Sequence, residues 1–281
     1  MRTWLLLGSL AAIFLSGFEG TTVPELLKRA RAAHKRGHTD EALKLAAQAI
    51  ESDPKDAAAY QVRGTILESA RKHTEAIADF DKSIALDPKA AEAYNQRGSE
   101  HLKLGHFDQA IKDFDKFLEL KPAEEPGHWR RGIAYYYAGK FEEGRRQFEG
   151  YEKVDNNDVE NAVWRFLCMA RSSGVDKARN AMMKVGMDRR VPMMEVYALY
   201  CGRARPEEVL KAANEGNPPA EQLKERLFYA HLYLGLYHEA LGDRKVALEH
   251  ITKAADDYKI GHYMWDIALV HRDLLRKEAK R

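Results

Sequence analysis

The sequence predicts an all-α solenoid of helix-turn-helix hairpins with a C-terminal capping helix, first of all from one recurring spacing. Gly64 and Gly98, Ala76 and Ala110, Phe80 and Phe114, and Pro88 and Pro122 each recur at a spacing of thirty-four residues, a period that belongs to stacked helix pairs. Lys and Arg total 45 against 43 Asp and Glu, so the chain lacks the basic excess that general nucleic-acid binding requires. A length of 281 residues does not force a split into domains, because each solenoid unit packs only on its neighbours.

Taken in order, the chain opens with Arg2 and an uncharged, largely apolar run from Trp4 to Leu15. That run has the length of a signal-peptide core and falls short of the roughly twenty residues that span a bilayer. Residues 1–20 therefore read as a signal peptide ending at Gly17 or Gly20, with an uncleaved membrane anchor as the alternative. Leu15-Ser16-Gly17 has the form of the front of a bacterial lipobox, but Phe18 stands where a lipid-accepting Cys is required.

Residues 23–158 read as four units. The first runs from Val23 to Asp56, with Gly37 in its turn, Ala42 in the small-residue position and Pro54 as its stop. It diverges from the others, since Ala30 stands where they have Gly. The second runs from Ala57 to Ala90 and the third from Ala91 to Glu124. The fourth, Glu125 to Asp158, keeps Gly132, Gly144 and Phe148 in phase and has Asn156 in place of the closing Pro. Small residues at these positions let two helices cross closely. Tyr60, Tyr94, Phe80, Phe114 and Phe148 fill the space between them, each buried ring stabilising by roughly 1.5–3 kcal/mol.

Beyond Asp158 the phase fades. Residues 159–219 read as two degenerate hairpins, with helices over Asn161–Ala170, Val175–Val185, Pro192–Cys201 and Pro206–Asn214. Gly216-Asn217-Pro218-Pro219 then breaks the chain before a long helix from Glu221 to Leu241. Residues 220–257 read as a late repeat carrying Gly235, Gly242, Ala247 and Ile251. In 258–281, Tyr263, Ile267, Val270 and Leu274 form one apolar stripe, and the segment reads as a capping helix.

The pattern Tyr60, Gly64, Ala76, Phe80 and Pro88, repeated one period later, resembles the tetratricopeptide repeat family. The resemblance implies a right-handed superhelix whose first helices line a concave groove. More specifically, the run from Arg131 to Gly139, the acidic stretch Asp155 to Asp158, the helix at Trp164 and the late unit at Phe228 to Asp243 are similar in order to the NlpI-type lipoproteins of bacterial envelopes. Those are homodimeric adaptors that bind peptidoglycan hydrolases and a periplasmic processing protease. The resemblance implies the same class of partners here and a possible homodimer.

Groove positions follow from the phase. They are Gln61, Thr65, Glu68 and Ser69 in the second unit, Asn95, Ser99, Leu102 and Lys103 in the third, and Trp129, Ile133, Tyr136 and Tyr137 in the fourth. The groove thus changes from polar to aromatic, which suits an extended peptide or helix with aromatic anchors. Two readings of the aromatics stay open: they anchor a partner, or they pack on the fifth unit near Trp164. The family's terminal-carboxylate clamp is not expected, since only Asn95, Lys103 and Arg130 stand in the area. Six methionines between Met169 and Met194 read as filler in an imperfect core, and Cys168 and Cys201 as buried thiols.

Nothing in the sequence points to catalysis. His34 and His38 are separated by a helix-breaking Gly37, His231 and His238 have no third ligand at metal spacing, and no phosphate loop, nucleophile elbow or CxxC occurs. No cofactor, metal or nucleic acid is expected. The function expected is a non-enzymatic adaptor, exported to the periplasm or beyond, that binds other proteins in its groove. The alternative is a self-assembly module with an empty groove.

Overall fold

The computed structural model describes residues 21–280, so the expected leader lies outside them. These residues form α-helical hairpins with no strand. The first four pairs are α1 (Val23–Lys35) with α2 (Thr39–Ser52), α3 (Ala57–Ser69) with α4 (His73–Leu86), α5 (Ala91–Lys103) with α6 (Phe107–Leu120), and α7 (Trp129–Tyr137) with α8 (Phe141–Tyr151). Then follow α9 (Val159–Ser173), a short α10 (Val175–Asn180), α11 (Met193–Tyr200), α12 (Pro206–Asn214), α13 (Ala220–Ala240), α14 (Arg244–Thr252) and α15 (Tyr263–Glu278). No helix among the described residues is long and apolar enough to cross a membrane.

The repeated glycines sit where the two helices of a pair touch. A methyl group on Gly64, Gly98 or Gly132 would lie 2.7, 2.8 or 2.6 Å from the ring of Phe80, Phe114 or Phe148 respectively. In the late unit Gly235 faces Ile251 at 2.5 Å, so an aliphatic residue replaces the ring. Each ring is essentially inaccessible to solvent. The hairpin turns need a left-handed residue, supplied by Gly37, Gly105 and Gly139 at φ of 78°, 75° and 74°. At the equivalent place in the second unit stands Arg71, at φ 60°, a conformation that costs a residue with a Cβ about 1–2 kcal/mol.

A ladder of arginines stitches the units together. Arg63 grips Asp79 through two bonds of 2.7 Å, and Arg97 grips Asp113 at 2.8 and 2.6 Å. Arg131 reaches Gln147 at 2.7 Å, and Arg165 reaches the carbonyl of Ala181 at 2.6 Å. The last three also reach back one unit, to Asp81, Asp115 and Glu149. The repeat phase therefore continues through α9, contrary to the expectation that it fades at Asp158. The signal was present in the sequence, since Arg63, Arg97, Arg131 and Arg165 stand one period apart.

Two regions differ from the sequence reading. The helix expected over Val175–Val185 stops at Asn180, and Met182 to Arg190 runs without regular structure back along the fourth unit. It is held there because Gly186 N–H donates to the Asn156 carbonyl at 3.1 Å and Met187 N–H to Asn157 Oδ1 at 3.0 Å. Asp188 then accepts from Val159 N–H at 3.2 Å, capping α9. The second difference is α15. It covers the end of the α13–α14 hairpin as a cap should, but it also lies against α5 on the concave side.

Candidate functional site

The concave face divides into an open polar half and a filled aromatic half. First helices α1, α3 and α5, with the start of α7, wall a cavity of about 480 Å³ whose lining includes Arg31, Gln61, Thr65, Asn95, Ser99 and Arg130. Its side chains are ordered by one another. Gln61 donates to Gln96 at 3.0 Å, and Gln96 donates to Thr65 at 2.7 Å. Arg130 donates to Ser99 Oγ at 2.9 Å and to Asn95 Oδ1 at 3.1 Å.

His128, buried under Phe114 and Phe117, completes this network. Its Nδ1 accepts from Arg131 N–H at 3.3 Å, capping α7, which leaves Nε2–H to donate to Asn95 Oδ1 at 3.0 Å. Burial, and then the charges of Arg130 and Arg131, push the imidazole down to about 3, so it stays neutral. Lys103 does not face the groove as a free cation. It is held between Glu68 at 2.8 Å and Glu100 at 2.6 Å, with His73 on the other side of Glu100 at 2.6 Å.

The aromatic half corrects the sequence reading residue by residue. Leu102, Ile133 and Tyr136 are buried, at 0%, 1% and 4% exposure. Tyr136 meets Trp164 edge-on at 5.4 Å, which is the packing arrangement. Tyr137 stacks on Phe107 at 5.2 Å and shares a hydrogen bond of 3.1 Å with His271 of α15. Trp129 remains half-buried, with Tyr263 edge-on at 5.3 Å.

The occupant is thus the chain itself. Tyr263 donates to the Ser99 carbonyl at 3.3 Å, with Lys103 and Arg130 over its ring at 5.2 and 5.8 Å. Asp266 takes an ion pair from Arg71 at 2.6 Å, and the same guanidinium lies 4.5 Å over Trp265. Sequence reasoning missed Arg71, Tyr263, Trp265 and Asp266. One clue was available: Arg71 interrupts the series of turn glycines at 37, 105 and 139.

Among the methionines, Met193 is fully buried and Met187 is 64% exposed, while Met169, Met182, Met183 and Met194 are half-buried. Cys168 is buried with its thiol pushed up by desolvation, and Cys201 is only partly covered. Among the described residues no group of three or more His, Cys, Asp or Glu is placed to hold a metal.

Tetratricopeptide repeat models match residues 27–91 and 91–123. The fold is a tetratricopeptide solenoid. A tetratricopeptide repeat protein from Parabacteroides merdae superposes with a TM-score of 0.58 at 15% identity, covering 92% of this chain and all of that one. MamA superposes at 0.54 with 18% identity, over 71% of this chain and 99% of its own. The portion of MamA from residue 41 onward of Desulfovibrio magneticus does so at 0.52 with 18% identity, over 56% and 89%. At these identities the likeness is one of fold. No curated protein sequence matches the chain. Tetratricopeptide proteins mediate protein–protein interactions, and this solenoid has the concave surface that such binding uses.

Proposed function

We propose that this chain is a non-enzymatic adaptor of the bacterial cell envelope that holds an extended segment of a partner protein in the polar half of its concave groove. The observation that carries the reading is the open cavity over α3 and α5, whose Gln61, Thr65 and Asn95 are already ordered, with Ser99 fully buried behind them. Ordered side chains lose less entropy when a partner arrives, which favours binding. The mixed donors and acceptors suit a peptide backbone, and the charges of Arg31 and Arg130 are balanced by Glu68 and Glu92 in the same lining.

Placement in the envelope is supported by Arg2 with the apolar run Trp4–Leu15. Peptidoglycan hydrolases and a processing protease are the proposed partners, on the resemblance to NlpI-type adaptors. The test is a photoreactive amino acid at Thr65 or Gln61, irradiated in intact cells, with Lys82 on α4 as an exposed control. Adducts to the same proteins from both groove positions, absent from the control, are expected. Adducts from Lys82 alone would overturn the groove assignment, and fractionation of the same cells tests the envelope placement.

A further inference from the structure

Beside Trp129 lies a second cavity of about 190 Å³, sharing no lining residue with the polar groove, between α7, α8, α9, the start of α15 and the segment leading to Arg190. Its walls are aromatic, with Trp129, Trp164, Phe148 and Tyr151 among them. Asp158 and Glu160 also line it, together with Arg190. An apolar cavity of about 150 Å³ already accepts a molecule the size of benzene, so a chain of four or five carbons fits.

Charge decides what kind of molecule. Arg190 is the guanidinium for three carboxylates: Asp188 takes two bonds at 3.0 and 2.6 Å, Asp158 one at 2.8 Å, and Glu160 another. Four of its five N–H groups are thus held by carboxylates of this chain, and an uncommitted donor on the wall is the buried indole N–H of Trp164. His262, on the same wall, is pushed down by desolvation and then by the charge of Arg190. Two carboxylates are in excess, and desolvation pushes both Asp158 and Glu160 up against the opposing pull of Arg190.

An independent observation comes from Asn161, which lines the cavity and is 4% exposed. Its amide nitrogen donates to the Phe148 carbonyl at 2.9 Å, while its Oδ1 has no hydrogen-bond partner. A buried acceptor left unpaired is uncommon and marks a place where a donor belongs.

We propose that this cavity is a receptor for an alkylammonium group, its methylene chain against the rings of Trp129 and Trp164 and its charged head among Asp158, Glu160 and Asn161 Oδ1. Aromatic faces attract cations as well as methylenes, so walls and floor select the same ligand. The source is either a free amine or the lysine side chain of a partner.

Three probes of equal length and different charge test it on the full chain: pentylammonium, pentanol and pentanoate, followed by ligand-observed NMR and calorimetry. Pentylammonium is expected to bind about tenfold more tightly than pentanol, with pentanoate not binding. In Glu160→Gln, whose one amide oxygen can still accept from Arg190 while its NH2 turns to the Tyr233 hydroxyl, that preference should be lost while pentanol is unaffected. Trp129→Leu, at the half-buried rim, should weaken pentylammonium without altering the fold seen by circular dichroism. Nα-acetyl-lysine methylamide separates the sources: binding equal to pentylammonium points to a partner side chain, and binding of the free amine alone points to a small molecule. Equal binding of pentanol, preference for pentanoate, or no binding of any probe at millimolar concentration would each overturn the proposal. These outcomes are independent of what crosslinks to Thr65.

Discussion

Two glycines of the fourth hairpin give opposite answers to one substitution. Gly132 lies inside α7, and a Cβ there would stand 2.6, 2.9 and 2.9 Å from Phe148 Cζ, Cε1 and Cε2. Phe148 is 1% exposed and has nowhere to retreat. Gly150 lies in α8, and its nearest neighbour would be Pro126 Cα at 3.9 Å. Alanine favours a helix over glycine by about 1 kcal/mol, while forcing a methyl group into a filled core costs about 1–3 kcal/mol. Gly150→Ala should therefore stabilise by up to about 1 kcal/mol, and Gly132→Ala should destabilise by up to about 2 kcal/mol net. Adding Phe148→Leu to Gly132→Ala should cost less than the two changes separately, because the smaller side chain removes the clash. Urea denaturation measures all four variants, with slopes compared because a solenoid can unfold unit by unit. If Gly132→Ala stabilises as Gly150→Ala does, the close helix crossing argued from the repeat is wrong.

The arginine ladder and the buried histidine give further tests. Arg97→Met leaves the Asp113 carboxylate, 4% exposed, without its two-bond partner, which should cost about 3–5 kcal/mol; adding Asp113→Leu should recover most of that in the same denaturation assay. His128 is neutral in the fold but takes a proton in the unfolded chain below its ordinary value of 6.5, so its contribution to stability is complete above that value. It is lost as pH falls from there toward about 3. At pH 5 the loss is about 2 kcal/mol, and His231 and His250, pushed down to about 4 by burial, act in the same direction. His128→Asn keeps a capping side chain on α7 but removes the titration. The drop in Tm between pH 7 and pH 5 should therefore be smaller in this variant, and an unchanged drop would refute the assignment.

What was legible in the sequence was whatever repeats. Gly64, Gly98 and Gly132 with their facing rings announced the hairpins, because the same local contact recurs every period. The polar stretch of the groove was legible for the same reason: Gln61, Thr65, Asn95 and Ser99 follow from helix phase and line one cavity. Contacts made once could not be read this way. Tyr263 reaches Ser99 across 164 positions and Asp266 reaches Arg71 across 195, and no periodicity carries information over such a span. That the choice between anchoring and packing stayed open at Tyr136 and Tyr137, and that Ile133 was placed in the groove, has the same source. Phase placed them on the concave side, but phase does not say that α9 and α15 arrive to cover them. The premature end of α10 belongs here too, since Asn156 and Asn157 recruit Gly186 and Met187 by a one-off docking of backbone.

A solenoid whose two ends are free behaves as a spring, able to change pitch and widen to suit whatever enters it. Here the winding is latched. Arg71 holds Asp266 and Trp265, and Ser99 holds Tyr263, so stretching the second and third units away from the last helix means breaking an ion pair, a cation–ring contact and a hydrogen bond together. Widening the channel costs those contacts, and a guest that fits its present width is spared that cost.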